Sequence, residues 1–241
     1  MSAPLGYELR FWPELARLFA DPRFWSPGQS DRRRGVLLIP GFLAGDASLT
    51  VLAGWLRRRG HEVRTSGIRL NVGCAGREIE RLGAALEAFE EPAVVIGQSR
   101  GGTLARALAA RHPDRVAAVM TLGSPVLDQL AISPSVLRTV RSVAFLGDIG
   151  VRGLFTNECL DGACCSQFRA LLKAPLPAGA PAIAVYSRSD AIVDWRACQD
   201  PGAEWVEIDG SHCGMAVNAD VYQELERLLE RSESEETACS R

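Results

Sequence analysis

Residues 93–104 of the chain, AVVIGQSRGGTL, contain the pattern that decides the fold. Four apolar residues typical of a buried strand lead into GQSRG at 97–101, and a helix-forming segment, LARALAARH, follows. A serine at the centre of G-x-S-x-G, between a strand and a helix, lies on a sharp turn that exposes its hydroxyl. Gly97 and Gly101 lack the Cβ atoms that would collide there. We therefore predict a strand, a strained turn at Ser99, and a helix whose N-terminus faces the serine side chain.

Other apolar runs alternate with amphipathic segments along the chain. We predict strands at 35–39, 61–66, 93–96, 116–122, 182–186 and 205–208, with helices from about 46 to 60, at 79–89, after 99 and at 221–229. Strands of continuous apolar character that alternate with helices indicate an α/β fold, with a mostly parallel sheet covered by helices on both faces. Ligands of such sheets bind at the carboxyl ends of the strands.

Length and composition are typical of one globular domain spanning 1–241. The chain is 47% hydrophobic and 23% charged, and its net charge of −2 gives no reason to expect a nucleic-acid partner. No apolar run approaches the roughly 18 to 20 residues that would span a bilayer. Glu8, Arg10 and Glu14 interrupt the N-terminal apolar residues, so we do not expect a signal peptide, and a cytoplasmic location is the default expectation.

Three segments depart from the strand-helix alternation. Residues 1–30 are predicted as an aromatic arm with one short helix, interrupted by Pro13, Pro22 and Pro27 and packed on the domain surface. Peripheral contact of this arm with a membrane is the alternative. Residues 126–181 are predicted as a mainly helical cap above the sheet that binds an apolar part of the substrate. Residues 232–241 are predicted as a disordered polar tail.

Histidine is the usual base for a serine nucleophile, and the chain contains only three histidines. His61 stands at the start of one predicted strand and His112 precedes another, so both are expected at the amino edge of the sheet, opposite Ser99. His212 follows the last strand, within GSHCG, at the edge where Ser99 is expected. Elimination therefore leaves His212 as the base.

The third catalytic group must accept a hydrogen bond from the other imidazole nitrogen. Asp190 follows the 182–186 strand and completes the chain order Ser, Asp, His that accompanies this kind of serine turn. Asp194 is its main rival, although an aspartate there also suits the N-cap of a short helix near 195. Asp209 is expected to stabilise its own turn.

A tetrahedral intermediate needs backbone N–H donors directed at its oxygen. We predict the amides of Arg100, directly after the serine, and of Phe42, in the loop after the first strand. Candidate substrate contacts are Leu43, Gln98 and Leu127. For Gln98 and the Arg100 side chain, hydrogen bonding around the turn is an equal alternative.

The chain has seven cysteines, an odd number. Cys159, Cys164 and Cys165 have no nearby histidine, and their spacing matches no zinc pattern, so we expect a local disulfide or buried thiols there. Cys198 and Cys213 lie in the two loops that carry the candidate acid and the candidate base. Because these loops are expected to be adjacent, a disulfide between the two cysteines is a hypothesis. Neither a metal nor a cofactor is expected.

The motifs together resemble those of α/β-hydrolases of the esterase/lipase type. IPGFLAGD, GQSRGG, LGSP, YSRSDAIVDW and GSHCGM occur in family order over nearly the whole chain. The resemblance implies Ser99 as nucleophile, Asp190 as acid, His212 as base, and Phe42 with Arg100 as oxyanion donors. Two positions depart from the family pattern: Pro40 replaces a frequent histidine, and Arg100 replaces a hydrophobic residue.

The function implied is hydrolysis of a small carboxylic ester with an apolar acyl part through an acyl-enzyme. Hydrolysis of a thioester or amide and acyl transfer share that intermediate and remain alternatives. A non-catalytic binding protein with the same fold is an alternative of a different class. The acyl length, the alcohol part and the oligomeric state are left open by the sequence.

Overall fold

A computed structural model describes residues 5–26 and 33–239 of the chain. Six strands form one sheet: β1 (Gly35–Ile39), β2 (Glu62–Thr65), β3 (Ala93–Gln98), β4 (Val116–Leu122), β5 (Ala182–Tyr186) and β6 (Glu204–Glu207). Their order is β2-β1-β3-β4-β5-β6, and every neighbouring pair is parallel. The predicted α/β fold with a parallel sheet is confirmed.

Helices cover both faces of this sheet. They are α1 (Phe11–Ala20), α2 (Pro22–Trp25), α3 (Thr50–Arg58), α4 (Ala75–Leu86), α5 (Arg100–Arg111), α6 (Pro134–Asp148), α7 (Asn157–Leu160), α8 (Ser166–Lys173) and α9 (Ala219–Cys239). Short 3-10 helices lie at Leu5–Arg10, Asp46–Leu49, Pro113–Arg115, Ala163–Cys165, Trp195–Cys198 and Met215–Val217. No helix among residues 5–26 and 33–239 is long and apolar enough to cross a membrane.

The core consists of two large hydrophobic clusters, one on each face of the sheet. Successive side chains of a strand point to opposite faces. Val36 and Leu38 of β1 accordingly pack with α1, α2, α3 and α9, whereas Leu37 and Ile39 pack with α4, α5 and α8. The buried faces hold the carboxyl ends of β3, β4 and β5 in fixed register, and the loops that follow these ends carry the site.

The N-terminal arm is more regular than its prolines suggest. Pro13 was expected to interrupt the arm, but it lies in the first turn of α1, where its missing N–H would have no helical partner. Pro22 is the first residue of α2, and Pro27 lies outside the described residues. Leu18 and Phe24 are buried in the core cluster beside α3 and α9, so the arm is packed against the domain.

The segment at 126–181 divides into two parts with different partners. Residues around α6 and α7, from Gln129 to Leu160, line a cavity above the carboxyl ends of the strands. Phe168 and Leu171 of α8 instead join the hydrophobic cluster formed by α4 and α5. The part of this segment that lines that cavity therefore lies within residues 129–160, which we call the cap.

The prediction of a disordered tail from residue 232 is wrong for most of that stretch, because α9 continues to Cys239. Ser232 is buried, and its hydroxyl donates to the Leu229 carbonyl at 2.7 Å. The Ser232 carbonyl in turn accepts a hydrogen bond from the Arg34 guanidinium at 2.8 Å. These two hydrogen bonds stabilise α9 beyond Leu229, where its apolar periodicity ends. Residues 240–241 lie outside the described residues.

Candidate active site

Ser99 lies on a sharp turn between β3 and α5. Its backbone has φ 52° and ψ −123°, a conformation that costs energy for a residue with a side chain. The Ser99 N–H donates to the Leu122 carbonyl at 2.7 Å, which ties the turn to the end of β4. A Cβ at Gly97 would collide with the Gly101 carbonyl, and one at Gly101 would collide with the Ile39 carbonyl. The steric requirement predicted for both glycines is confirmed.

The loop after β1 approaches this turn closely. A Cβ added to Gly41 would lie 3.3 Å from the Ser99 Cβ and 3.4 Å from the Gln98 carbonyl oxygen. Phe42 and Leu43 follow at the rim, and Leu43 has a positive φ of 57°. The chain therefore bends around Ser99 and brings the residue 42 amide to the same side of the sheet as the Arg100 amide.

Asp190 and His212 form a buried pair at the ends of β5 and β6. Asp190 Oδ2 lies 2.6 Å from His212 Nδ1, while Asp190 Oδ1 accepts the Ile192 and Val193 N–H groups, each at 2.8 Å. Burial lowers the pKa of His212, but the Asp190 carboxylate, with a smaller contribution from Glu8, raises it more, so the net direction is upward. The two backbone bonds fix the carboxylate and leave one oxygen for the imidazole.

The other candidate acids and bases have separate partners. Asp194 caps the helix at Trp195–Cys198 by accepting the Arg196 N–H at 3.1 Å, as its alternative role predicted. The expectation for Asp209 is wrong: its carboxylate binds the Arg10 guanidinium at 2.9 and 3.0 Å and the Ser189 hydroxyl at 2.9 Å. Arg10 of the N-terminal arm therefore binds the carboxylate that was expected to form hydrogen bonds within its own turn.

His61 and His112 lie away from Ser99, as expected. His61 Nδ1 accepts the Arg34 N–H at 3.2 Å, at the amino end of β1. His112 directly follows α5, and its ring contacts Gly83 of α4. Neither histidine lines the cavity that contains Ser99.

Two glutamates of the N-terminal arm hold the loop that carries His212. Glu8 accepts the N–H groups of Ala191, His212 and Cys213 at 3.3, 3.2 and 2.8 Å. Glu14 accepts the Ser211 N–H at 2.8 Å and the Ser211 hydroxyl at 3.0 Å. Burial raises the pKa of Glu14, and its bonds to Ser211 oppose that shift. The two residues were not identified from the sequence, where they served only to exclude a signal peptide.

Ser99 and His212 open onto one cavity of about 450 Å³ between the sheet and the cap. The polar residues Gln98 and Arg100 and the exposed thiol of Cys213 also line it. Most of its wall is apolar and is formed by Phe11, Phe42, Leu43, Ala44, Leu130, Ile132, Val136, Val140, Phe155, Leu160 and Ile192. Leu127, predicted to contact substrate, is 55% exposed and does not line the cavity. The segment turns after residue 127, so Leu130 and Ile132 occupy the wall instead.

The side chains of Gln98 and Arg100 support the turn as well as lining the cavity. Gln98 Nε2 donates to the His212 carbonyl at 3.1 Å and so links the turn to the histidine loop. Arg100 donates to Asn71 Oδ1 and to the Gly73 carbonyl, and its guanidinium lies 5.4 Å from the centre of the Phe155 ring. Burial lowers the pKa of Arg100 to about 10, so it stays protonated at neutral pH.

The six cysteines whose side chains are described are free thiols, so neither the local disulfide nor the hypothesised bond between Cys198 and Cys213 is formed among them. The other expectation, buried thiols, holds for Cys165 but not for the exposed Cys164. Cys198 is buried in a small cluster with Tyr186 and Val193, whereas Cys213 is exposed on the loop held by Glu8, so the two thiols have different surroundings. Cys159, Cys164 and Cys165 lie close together, and Cys74, which the sequence did not single out, joins them.

Comparison with known proteins gives matches to one fold. A family model described as the alpha/beta hydrolase fold matches residues 79–158. A comparison with curated proteins gives no match.

Solved structures with this fold superpose on most of the chain. A metagenome-derived lipolytic enzyme is 22% identical with a TM-score of 0.60, over 87% of this chain and 96% of that one. The monoacylglycerol lipase of Paleococcus ferrophilus is 14% identical with a TM-score of 0.56, over 87% and 96% of the two chains. Alpha/beta hydrolase domain-containing protein 10 from mouse is 19% identical with a TM-score of 0.57, over 85% and 90%. The protein therefore has the α/β-hydrolase fold.

Proposed function

We propose that the protein is a serine hydrolase that cleaves carboxylic esters through an acyl-enzyme formed on Ser99. The observation that carries the proposal is the buried contact of 2.6 Å between Asp190 Oδ2 and His212 Nδ1, at the wall of the cavity that Ser99 lines. Lipases and esterases among the solved structures with this fold support the reaction class. The site is a small-molecule site, because it is a concave, mostly apolar pocket with a few polar groups.

In this mechanism the Ser99 hydroxyl oxygen attacks the ester carbonyl carbon while His212 Nε2 takes the hydroxyl proton. Asp190 accepts the Nδ1–H of the imidazole, which selects the tautomer with a free Nε2 and stabilises the imidazolium. The tetrahedral intermediate collapses with loss of the alcohol, which receives the proton from His212. Water then attacks the acyl-enzyme by the same route and releases the acid and the free serine.

The negative oxygen of the tetrahedral intermediate would be held by the backbone N–H groups of Phe42 and Arg100. Each such donor contributes on the order of 2.7–4 kcal/mol to lowering the barrier. Support comes from the close approach of Gly41 to Ser99, which brings the Phe42 amide beside the turn, and from the position of Arg100 as first residue of α5. Both donors are backbone groups, so the unusual Arg100 side chain does not remove either one.

The substrate is proposed to be a small ester whose acyl part lies against the cap. Apolar side chains of the cap, Leu130, Val136 and Phe155 among them, face Ser99 across the cavity. Burial of each methylene of an acyl chain against such a wall contributes about 0.8 kcal/mol. Affinity should therefore rise with acyl length until the cavity of about 450 Å³ is filled.

The test is hydrolysis of p-nitrophenyl esters graded by acyl length, with matched thioester and anilide substrates. Wild-type protein should hydrolyse the esters fastest, and Ser99→Ala should abolish turnover while circular dichroism stays unchanged. Ser142→Ala is the matched control, because Ser142 is exposed on α6 and does not line the cavity. Undiminished turnover by Ser99→Ala would overturn the mechanism. A faster reaction with thioesters or anilides would replace the ester as substrate class but keep the nucleophile.

A further inference from the structure

Four cysteine thiols from three separate parts of the chain meet outside the proposed active site. The sulfur atoms of Cys74, Cys159, Cys164 and Cys165 all lie within 4.8 Å of one another. Cys74 Sγ is 3.6 Å from Cys165 Sγ and 3.7 Å from Cys164 Sγ, and Cys159 Sγ is 3.6 Å from Cys164 Sγ. None of these pairs is joined as a disulfide.

These sulfur–sulfur distances are the ones expected between four ligands that bind one metal ion. Zinc binds thiolate sulfur at about 2.3 Å, and at the tetrahedral angle that distance puts neighbouring sulfur atoms about 3.8 Å apart. Four mutually close thiolates are a donor set that selects zinc or iron over harder ions.

The backbone around the thiols favours their negative form. Cys74 is the N-cap residue of α4, a helix of 12 residues, so the helix N-terminus faces the cluster. Helix N-termini stabilise anions, and thiolates bound to a metal keep their negative charge.

A partly buried cation lies beside the cluster. The Arg100 guanidinium donates to Asn71 Oδ1 and to the Gly73 carbonyl, in the segment that leads to Cys74. The Glu78 carboxylate stabilises its charge, and thiolates at Cys165, Cys74 and Cys159 would add to that effect. No carboxylate among the described residues forms an ion pair with Arg100. A charge with little access to water is costly unless opposite charge lies nearby. A zinc ion with four thiolates carries a net charge of −2 and would add to the compensation that Glu78 provides.

We propose that Cys74, Cys159, Cys164 and Cys165 bind one zinc ion in a tetrahedral site that fastens the cap to the start of α4. Cys159 belongs to α7 at the end of the cap and also lines the cavity, so the ion fixes one wall of the candidate active site. The role is structural, since four protein ligands leave no open position for a substrate. The sequence did not indicate this site because its first ligand is 85 positions before the second.

Metal analysis of the full-length protein tests the proposal without reference to activity. The protein is purified under reducing conditions and without a metal-affinity column. Elemental mass spectrometry should then find one zinc ion per chain. Cys164→Ser, which changes an exposed ligand, and Cys74→Ser should contain almost none. Cys198→Ala is the matched control and should retain the full equivalent, because Cys198 is a buried thiol outside the cluster.

Two further measurements separate loss of metal from loss of fold. Cobalt added to metal-free wild-type protein should give the intense visible absorption of a tetrahedral thiolate site, and Cys164→Ser should not. Removal of zinc by a chelator should lower the Tm of the wild-type protein, and zinc but not magnesium should restore it.

The proposal is overturned if reduced wild-type protein takes up neither zinc nor cobalt, or if Cys164→Ser retains a full equivalent of zinc. One equivalent of iron in place of zinc would overturn the identity of the metal. Disulfides among the four cysteines in protein purified without oxygen would overturn the site itself.

Discussion

Replacing Glu8 with glutamine should lower kcat and move the acidic limb of the pH profile to lower pH, although residue 8 lies on the N-terminal arm. The Glu8 carboxylate accepts three N–H groups, two from the loop of His212 and one from residue 191, next to Asp190. The arm therefore holds the loops of both the candidate acid and the candidate base.

The expected loss of kcat/KM can be calculated from the hydrogen bonds that Glu8 accepts. A hydrogen bond to a charged group contributes about 1.5–3 kcal/mol, against roughly 0.5–1.5 kcal/mol between neutral groups. Glutamine keeps one carbonyl oxygen but presents an NH₂ group where the carboxylate had its second oxygen, so about one charged bond is lost. If that loss is felt in the transition state, kcat/KM falls by roughly tenfold to a hundredfold. KM should change little, because Glu8 itself does not line the cavity and its contacts are with backbone N–H groups.

The direction of the pH shift follows from the charge of Glu8. His212 must be neutral to accept the serine proton, so activity falls as the pH drops through its pKa. Burial lowers that pKa, and the charges of Asp190 and, to a smaller extent, Glu8 raise it. Removing the charge of Glu8 therefore lowers the pKa of His212 and moves the acidic limb toward lower pH.

The assay is the hydrolysis of one p-nitrophenyl ester over a pH series, with kcat and KM fitted separately. Asp21→Asn is the control, because it removes the same charge from the same arm at a residue that caps α2 and binds Arg23. If Glu8→Gln left both kcat and the acidic limb at their wild-type values, the arm would have no positioning role.

Three other substitutions have expected outcomes. Asp190→Asn should lower kcat by about 10³ to 10⁴, because asparagine does not stabilise the required imidazole tautomer, and its fold should be checked by circular dichroism. Gly97→Ala should lower the free energy of unfolding in urea by about 1–3 kcal/mol, since the added Cβ meets the Gly101 carbonyl; wild-type stability would contradict the steric argument. Gly54→Ala should raise it by about 0.5–1 kcal/mol, because Gly54 lies inside α3 with no atom within 4 Å of the added Cβ; a decrease would show an unrecognised contact.

Local patterns predicted the sheet and the residues that directly follow its strands. The apolar residues of β3 and β4 are buried in the core, as their sequence predicts. The glycines on either side of Ser99 have the steric role that their spacing indicates. His212 and Asp190 became candidates because each follows a strand end, where parallel topology brings distant residues together. These inferences needed only periodicity and the direction of the strands.

Contacts between distant segments could not be predicted in the same way. Glu8 and His212 are separated by 204 positions, and no periodicity of the arm indicates which face meets the loop. Cys74 stands alone in the sequence, so its approach to Cys165 depends on how α4 packs against α8. Leu127 was placed in the site by its hydrophobic character, but the path of the chain after β4 turns it to solvent.

Covalent trapping tests most directly whether Ser99 is the nucleophile of this fold. A fluorophosphonate probe should add one adduct per chain, and peptide mass spectrometry should locate it on Ser99. Labelling should disappear in Ser99→Ala, slow strongly in Asp190→Asn and stay unchanged in Ser142→Ala. An adduct on another residue, or equal labelling of wild-type protein and Ser99→Ala, would contradict the proposed mechanism.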